Sequence, residues 1–364
     1  MWDEVRHPLT VQEYLEIQTM MLIDNFLSRG QKFLGCRYPI MCGAMTWISD
    51  SKLVGDMGNA HGFGFLAGGN TPVDILEKEI VAVREYSDKP FGINLITVSP
   101  IYKDQLKMVC DMKCDIIMFA GSIPREAEIR SAQDSGAKII CFAPTAPLAM
   151  RLIKMGTDAL MLEGSEAGGH IGPVTLAVLL QEVLFQIDTV PIFVAGGIAT
   201  GRMMAHLLMM GAAGIQMGTR FVMSEECKAH PEFKETFRKA KAKDAVATPQ
   251  FDSRLPVIPV RALKNKGTTQ FGKLQFEIID RLDRGAIDPQ QAQFEVENFW
   301  AGALREAAVE GKVHSGSLMA GQSVGLADKI LPIREIIAEL IQDAESELQR
   351  LHELFHDTCT NLAP

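Results

Sequence analysis

The chain has 364 residues, 47% hydrophobic and 22% charged, a composition typical of a globular protein with a large core. Its 36 basic and 45 acidic residues give a net charge of −9, which argues against general nucleic-acid binding because that function needs a positive surface. No apolar run reaches the roughly 18 residues of a membrane span. The acidic start Met1-Trp2-Asp3-Glu4 is unlike a secretory signal, and seven scattered cysteines indicate reduced thiols, so we expect a cytoplasmic protein.

Short apolar runs recur between residues 38 and 222, and most of them are continuous, as is typical of parallel strands buried on both faces. Segments with helical spacing separate them, and Asp50, Thr71 and Thr200 are predicted helix N-caps. Eight runs predict a (β/α)8 TIM barrel, whereas an open sheet of six or seven strands is the alternative because periodicity does not show closure. The runs are Tyr38–Met41, Gly64–Ala67, Phe91–Ile96, Ile116–Phe119, Lys138–Ala143, Ala159–Glu163, Pro191–Ala195 and Gly214–Met217.

The remaining segments differ from this alternation of strands and helices. Val11–Leu27 is a predicted helix, Lys228–Lys243 is basic, and Pro332–Phe355 is a predicted amphipathic helix. His314–Leu326 is rich in Gly and Ser and is predicted to be an ordered loop. We therefore predict four parts, which are an N-terminal helical arm (1–30), the barrel (31–226), a small, mainly helical inserted substrate domain (227–310) and a loop with a C-terminal helix returning to the barrel (311–364).

Glycines follow the seventh and eighth predicted strands, in AGGIATG (195–201) and MGTRF (217–221). Glycine lets the main chain approach a ligand, and main-chain N–H groups at a helix start bind anions. Because barrels often place a phosphate at these two loops, we predict a phosphate-bearing ligand, with ordinary turn glycines as the alternative. His170 follows two glycines after the sixth strand and is the predicted catalytic or substrate-polarising residue, although a lone His is often structural.

Five longer segments carry recognisable motifs, which are EGSEAGGHIG (163–172), PIFVAGGIATG (191–201), GAAGIQMGTRFV (211–222), VRALKN (260–265) and GSLMAGQSVGL (316–326). They resemble the FMN-dependent nitronate monooxygenase (2-nitropropane dioxygenase-like) family. Within it they are most similar to the FabK-type branch of flavin enoyl-[acyl-carrier-protein] reductases. The resemblance implies a barrel with a smaller substrate-covering domain and a non-covalent FMN.

The resemblance also implies roles for individual residues. His170 matches the active-site histidine of the family. Cys42 and Ala44 depart from the pattern at positions that would face the flavin, since many relatives carry Gln and Gly or Pro there. The implied FMN contacts are Gly43, Ala44 and Met45 on the ring, Asn94 and Glu163 at its polar edge or ribityl chain, Gly168 and Gly169 nearby, Gly196, Gly197, Gly218 and Thr219 at the phosphate, and Met319, Ala320, Gly321 and Gln322 along one side.

The function implied by the resemblance is an oxidoreductase of fatty acid synthesis, in which NAD(P)H and FMN reduce a 2-enoyl thioester and His170 or a main-chain N–H stabilises the thioester oxygen. The substrate would be a small molecule or carried by an acidic acyl-carrier protein. The partner would dock on Lys228–Lys243 with Arg254, Arg261, Lys264 and Lys266, unless these form only a solvated face. The alternative functions are nitronate oxidation with O2 and a flavin-free phosphate-binding barrel. Homodimer formation stays open, and no metal site is predicted.

Overall fold

A computed structural model describes residues 21–69, 71–252, 255 and 258–360, with side chains to residue 355. The predicted helix Val11–Leu27 lies mostly outside these residues. The first described helix, α1 (Asp24–Leu34), continues through the boundary predicted between residues 30 and 31. Ile23, Leu27 and Leu34 are fully buried, and Phe33 meets Phe193 at 5.6 Å between ring centroids, so this segment packs on the barrel.

Eight parallel strands close into a barrel in the order β1-β2-β3-β4-β5-β6-β8-β9, and β1 pairs with β9 from Ile40 to Cys42. This pairing excludes the open sheet and confirms the predicted (β/α)8 barrel. The strands are β1 (Ile40–Cys42), β2 (Phe63–Ala67), β3 (Gly92–Ile96), β4 (Ile116–Ala120), β5 (Lys138–Phe142), β6 (Ala159–Glu163), β7 (Gly169–His170), β8 (Ile192–Ala195), β9 (Gly214–Met217), β10 (Ala245–Ala247) and β11 (Val260–Leu263).

Helices follow the barrel strands. Asp50 and Thr200 are N-caps as predicted, since their side chains accept hydrogen bonds from the N–H groups of Leu53 and Met203. The prediction for Thr71 is wrong, because its hydroxyl donates to the Ala67 carbonyl and Pro72 is the N-cap of the helix that begins at Val73. The helices are α2 (Ser51–Asn59), α3 (Val73–Tyr86), α4 (Tyr102–Asp111), α5 (Glu126–Asp134), α6 (Ala146–Lys154), α7 (Leu176–Leu179), α8 (Gly201–Met209), α9 (Thr219–Val222), α10 (Pro231–Lys239), α11 (Lys266–Asp283), α12 (Pro289–Ala308) and α13 (Ile333–Thr360).

Large apolar side chains fill the barrel interior toward the amino ends of its strands. Phe33 and Leu34 of α1 belong to the same buried cluster, so α1 covers that end. The opposite end, where the strands finish, remains available for ligands, as in other barrels. The interior side chains include Met41, Phe63, Phe65, Met118, Ile140, Met161 and Phe193.

The insert between the barrel and α13 has its own small core. Phe271 of α11 packs against Trp300 of α12 with ring centroids 4.3 Å apart and the ring planes tilted. The insert also contributes two short strands, β10 and β11, which join β7 in a three-stranded antiparallel sheet. Phe233 and Phe237 of α10 pack with the main core instead, although the sequence placed α10 in the insert. The division into four parts otherwise stays a prediction.

The C-terminal helix α13 packs on α8, and Gly201 at the start of α8 has no space for a side chain beside the Leu340 carbonyl. Within the described part of the chain, no helix combines the length and the apolar character that a membrane span needs.

Candidate active site

A cavity of about 840 Å³ opens at the carboxyl ends of the barrel strands, between the strand-end loops and α12. Its volume falls within the range of about 300–1,000 Å³ that is typical of small-molecule sites. His170 and the residues implied as FMN contacts line it, with the exception of Ala320 and Gln322. The structure therefore brings residues from all eight strand-end loops of the barrel and from the Gly- and Ser-rich loop to one chamber.

Ala320 and Gln322 do not line the cavity. Ala320 is fully buried. Its main chain lies so near Gly168 that a Cβ added to Gly168 would stand 2.5 Å from the Ala320 carbonyl carbon. The Gln322 side chain is exposed, while its N–H donates to the Glu166 carbonyl. This loop therefore meets the cavity through Met319, Gly321 and Ser323.

The turn after β8 depends on glycine. Gly196 and Gly197 have φ values of 93° and 72°, in the left-handed region, and a Cβ on Gly196 would lie 2.9 Å from the Gly164 carbonyl oxygen. Gly218 after β9 does not have this constraint, because a Cβ there would make ordinary contact with Met45. The Thr219 hydroxyl accepts a hydrogen bond from the Gly321 N–H at 3.0 Å and so ties two cavity loops together.

Gln216 of β9 is a cavity residue that the sequence analysis missed. Its side chain is 8% exposed, and its Oε1 has no hydrogen-bond partner among the described residues. It lies beside Gly43, where a Cβ would stand 3.1 Å from its Cδ. A single amide inside the apolar run Gly214–Met217 was the available signal.

Asn94 of β3 and Glu163 of β6 place polar side chains on the cavity floor. Burial raises the pKa of Glu163 to about 8, because no neighbouring charge offsets the loss of water around the carboxylate. The described residues supply no hydrogen bond or ion pair to this carboxyl. At neutral pH the Glu163 side chain is therefore mostly a neutral acid, and it can donate a hydrogen bond.

Cys42 does not line the cavity, although the resemblance placed it facing the flavin. Met41 points into the barrel, and the next residue of the strand points out to the surrounding helices. Burial raises the pKa of the Cys42 thiol, so it stays protonated. Of the two departures from the family pattern, only Ala44 faces the chamber.

His170 lies on β7, opposite Val260 of β11, at the edge of the insert's sheet. Its Nε2 is 3.2 Å from Oε2 of Glu297 on α12, and the two side chains are 40% and 23% exposed. The sequence analysis missed Glu297, which carries no motif. The pair connects the loop after β6 to the helix that covers the cavity.

One face of α12 forms the roof of the cavity. Trp47, in the loop after β1, reaches this face and donates its indole N–H to the Ala301 carbonyl at 3.0 Å. The main chain of Trp47 is left-handed, with φ of 67°. Spacings of three and four residues put the roof residues on one side of the helix. They are Gln290, Gln293, Phe294, Glu297, Trp300, Ala301 and Leu304.

A family model, "Nitronate monooxygenase", matches residues 28–105 and 96–343. The chain belongs to the nitronate monooxygenase family. The match spans the barrel strands, the insert and the first part of α13.

Individual relatives are consistent with this assignment. The structure titled "Structure of FabK from Thermotoga maritima" is 36% identical, has a TM-score of 0.80, and covers 90% of this chain and 98% of that chain. A curated protein of Mycobacterium tuberculosis, an octahydro-indene-carboxyl-CoA dehydrogenase, is 27% identical over 87% of this chain and 96% of its own length. A "Probable nitronate monooxygenase" of Staphylococcus aureus is 24% identical over 88% and 98% of the two chains.

These relatives are named as oxidoreductases, and the FabK structure supports the FabK-like branch within the family. The chain is an enzyme, a flavin-dependent oxidoreductase. The described residues contain no group of three or more His, Cys, Asp or Glu side chains arranged to hold a metal ion.

Proposed function

We propose that this enzyme binds FMN and uses NAD(P)H to reduce 2-enoyl thioesters carried by an acyl-carrier protein. The observation that carries the proposal is the chamber at the strand ends, which combines a bare glycine turn, an imidazole and a largely apolar roof. The 36% identity to FabK over 90% of the chain supports this branch over others.

The residues present fit FMN. Gly196 and Gly197 line the cavity, where their main chain could receive a phosphate, and α8 begins four residues beyond Gly197 behind the Thr200 cap. The Gln216 oxygen and the Glu163 carboxyl lack hydrogen-bond partners within the described chain. The polar edge of the FMN ring would supply such partners. FMN would provide the two-electron transfer that protein side chains lack.

In the overall reaction, NAD(P)H loses a hydride, and the 2-enoyl double bond gains a hydride at the β-carbon and a proton at the α-carbon. His170 would supply that proton or a hydrogen bond to the thioester oxygen, where negative charge develops. The roof helix α12 excludes water, and Phe294 and Trp300 offer apolar surface to the acyl chain. The thioester itself stays intact.

The acyl-carrier partner would dock on fewer positive charges than the sequence suggested. Lys234 is buried and donates to the Ser224 carbonyl, and Arg261 donates to the carbonyls of Ser165 and Ala245. Lys228 forms an ion pair with Asp50, and Arg238 and Lys239 pair with Glu235. Arg254 lies outside the described residues. We assign the docking surface to the remaining lysines, which are Lys241, Lys243, Lys264 and Lys266.

The test is anaerobic mixing of the purified flavoprotein with NADH or NADPH, followed by a short 2-enoyl thioester such as crotonyl-CoA. We expect rapid bleaching of the flavin and recovery of its colour on adding the thioester. The variant His170→Ala should stay yellow but lose turnover by about 10²- to 10⁴-fold, the usual contribution of a positioned acid or base. Failure of both nicotinamides to bleach the flavin would refute the proposal.

Nitronate oxidation is the second candidate, and the family match and the relatives named as probable nitronate monooxygenases favour it. His170 would then take a proton from a nitroalkane or hold the nitronate. Bleaching by a nitronate but not by nicotinamide would select this function. A colourless protein that takes up no FMN would instead select the flavin-free barrel.

A further inference from the structure

We propose that Glu297 is a positioning residue for His170, so that the inserted helix α12 takes part in the chemistry as well as covering the site. The inference deepens the proposed function and rests on it. Glu297 would fix both the orientation of the imidazole and the ring nitrogen that carries its proton.

The contact itself defines the protonation pattern of the ring. An ionised carboxylate only accepts hydrogen bonds, so the imidazole nitrogen that faces it must carry a hydrogen. That nitrogen is Nε2 of His170, 3.2 Å from the Glu297 carboxylate. Nδ1 is then the ring nitrogen left to exchange a proton with the substrate.

Within the described chain, the Glu297 carboxylate is the charged group in contact with the imidazole, with its Oε2 3.2 Å from Nε2. The β7–β11 pairing and the hydrogen bond from the Ile171 N–H to the Pro259 carbonyl fix the main chain of His170 but not its side-chain torsions. The ring is 40% exposed, so packing alone does not hold it. Removing the carboxylate would therefore release the ring without unfolding the strand.

The other charged groups around this pair form interactions with other partners. The guanidinium of Arg261, next to Val260 on β11, donates to two main-chain carbonyls, and the Glu166 carboxylate accepts from the Leu176 N–H. Glu163 is mostly neutral at pH 7. No lysine or arginine of the described chain pairs with Glu297, whereas its neighbour Glu295 pairs with Arg281.

The position of Glu297 is itself fixed by the barrel. Ala301 lies one turn further along the same face of α12, and its carbonyl accepts the Trp47 indole N–H at 3.0 Å. Two strand-end loops therefore hold the same helix face at successive turns. This arrangement sets the distance between the carboxylate and His170.

The kinetic test compares Glu297→Ala and Glu297→Gln with the matched control Glu295→Ala, which removes a carboxylate from the same helix. We expect Glu297→Ala to lower kcat for the enoyl thioester by about 10- to 100-fold, because misplacing a catalytic group has effects of this size. The KM for NAD(P)H should stay within about 2-fold. Glu297→Gln should recover most of the loss because its amide oxygen still accepts, and Glu295→Ala should resemble the wild type.

A second readout does not depend on turnover. In protein carrying ¹⁵N-labelled histidine, the ring signals of His170, assigned by their loss in His170→Ala, should show the proton on Nε2. In Glu297→Ala they should shift toward a mixture of the two tautomers. Flavin that NAD(P)H does not bleach would defeat the proposed function but leave this readout valid. An unchanged tautomer in Glu297→Ala, or a kcat equal to that of Glu295→Ala, would overturn the assignment of Glu297.

Discussion

Replacing Glu163 by glutamine should remove a large pH dependence from the folding stability of the nucleotide-free enzyme. Burial raises the pKa of this carboxyl from 4.5 to about 8. Between those values the unfolded chain has released the proton and the folded chain has kept it. The contribution of this carboxyl to the free energy of unfolding is therefore complete below pH 4.5. It falls by about 1.4 kcal/mol for each pH unit up to pH 8. From pH 5 to pH 8 the wild type should lose about 4 kcal/mol through this group.

The assay is urea denaturation at several pH values between 5 and 8.5, with Glu163→Gln beside the wild type. Glutamine has nearly the same shape and does not ionise, so its free energy of unfolding should lack this decline. Glu77→Gln, which changes an exposed carboxyl on α3, is the control and should follow the wild type. If Glu163→Gln and the wild type decline in parallel, the carboxyl is ionised in the folded protein and the reasoning is wrong.

Three further variants test other features. Gly197→Asp should weaken FMN binding at least about tenfold in a fluorescence titration, because it sets a carboxylate beside the proposed phosphate site. Gly285→Asp has a similar φ of 66° and open space around it, so an equal loss there would show that only backbone strain matters. Glu345→Ala removes the carboxylate that accepts two main-chain N–H groups just before α1. It should lower the free energy of unfolding by about 1–3 kcal/mol in urea, and a loss near zero would contradict this role. Trp47→Phe removes the indole donor to Ala301, worth about 1 kcal/mol, and should speed amide exchange in α12 about fivefold. Unchanged exchange would show that this hydrogen bond does not hold the helix.

The barrel could be predicted from sequence because most of its strands are buried on both faces and so form nearly continuous apolar runs. The strand β6, predicted and observed as Ala159–Glu163, is one example. The insert's sheet could not be predicted in this way. With two to four residues each, β7, β10 and β11 are too short for any periodicity to show.

The site was predictable only in part, for a related reason. His170 and Gly197 lie in strand-end loops whose place follows from the barrel itself. Glu297 and Trp47 reach the site through contacts between segments far apart in sequence, and neither stands in a motif. The sequence placed the loop that contains Met319 and Ser323 beside the chamber. It did not show which residues of the loop face inward, because that depends on main-chain packing against Gly168.

The position of the His170 imidazole depends on the two-residue strand β7. Its backbone partner is β11, which belongs to the insert, so His170 is held by a different sheet from the glycine turn after β8. A change in the length of the insert before β11 that moved this register by one residue would reverse the faces of β11 and so change the support of the strand that carries the imidazole. Sequence drift in the insert can thus alter reactivity and substrate range together, while the nucleotide end of the barrel stays as it is.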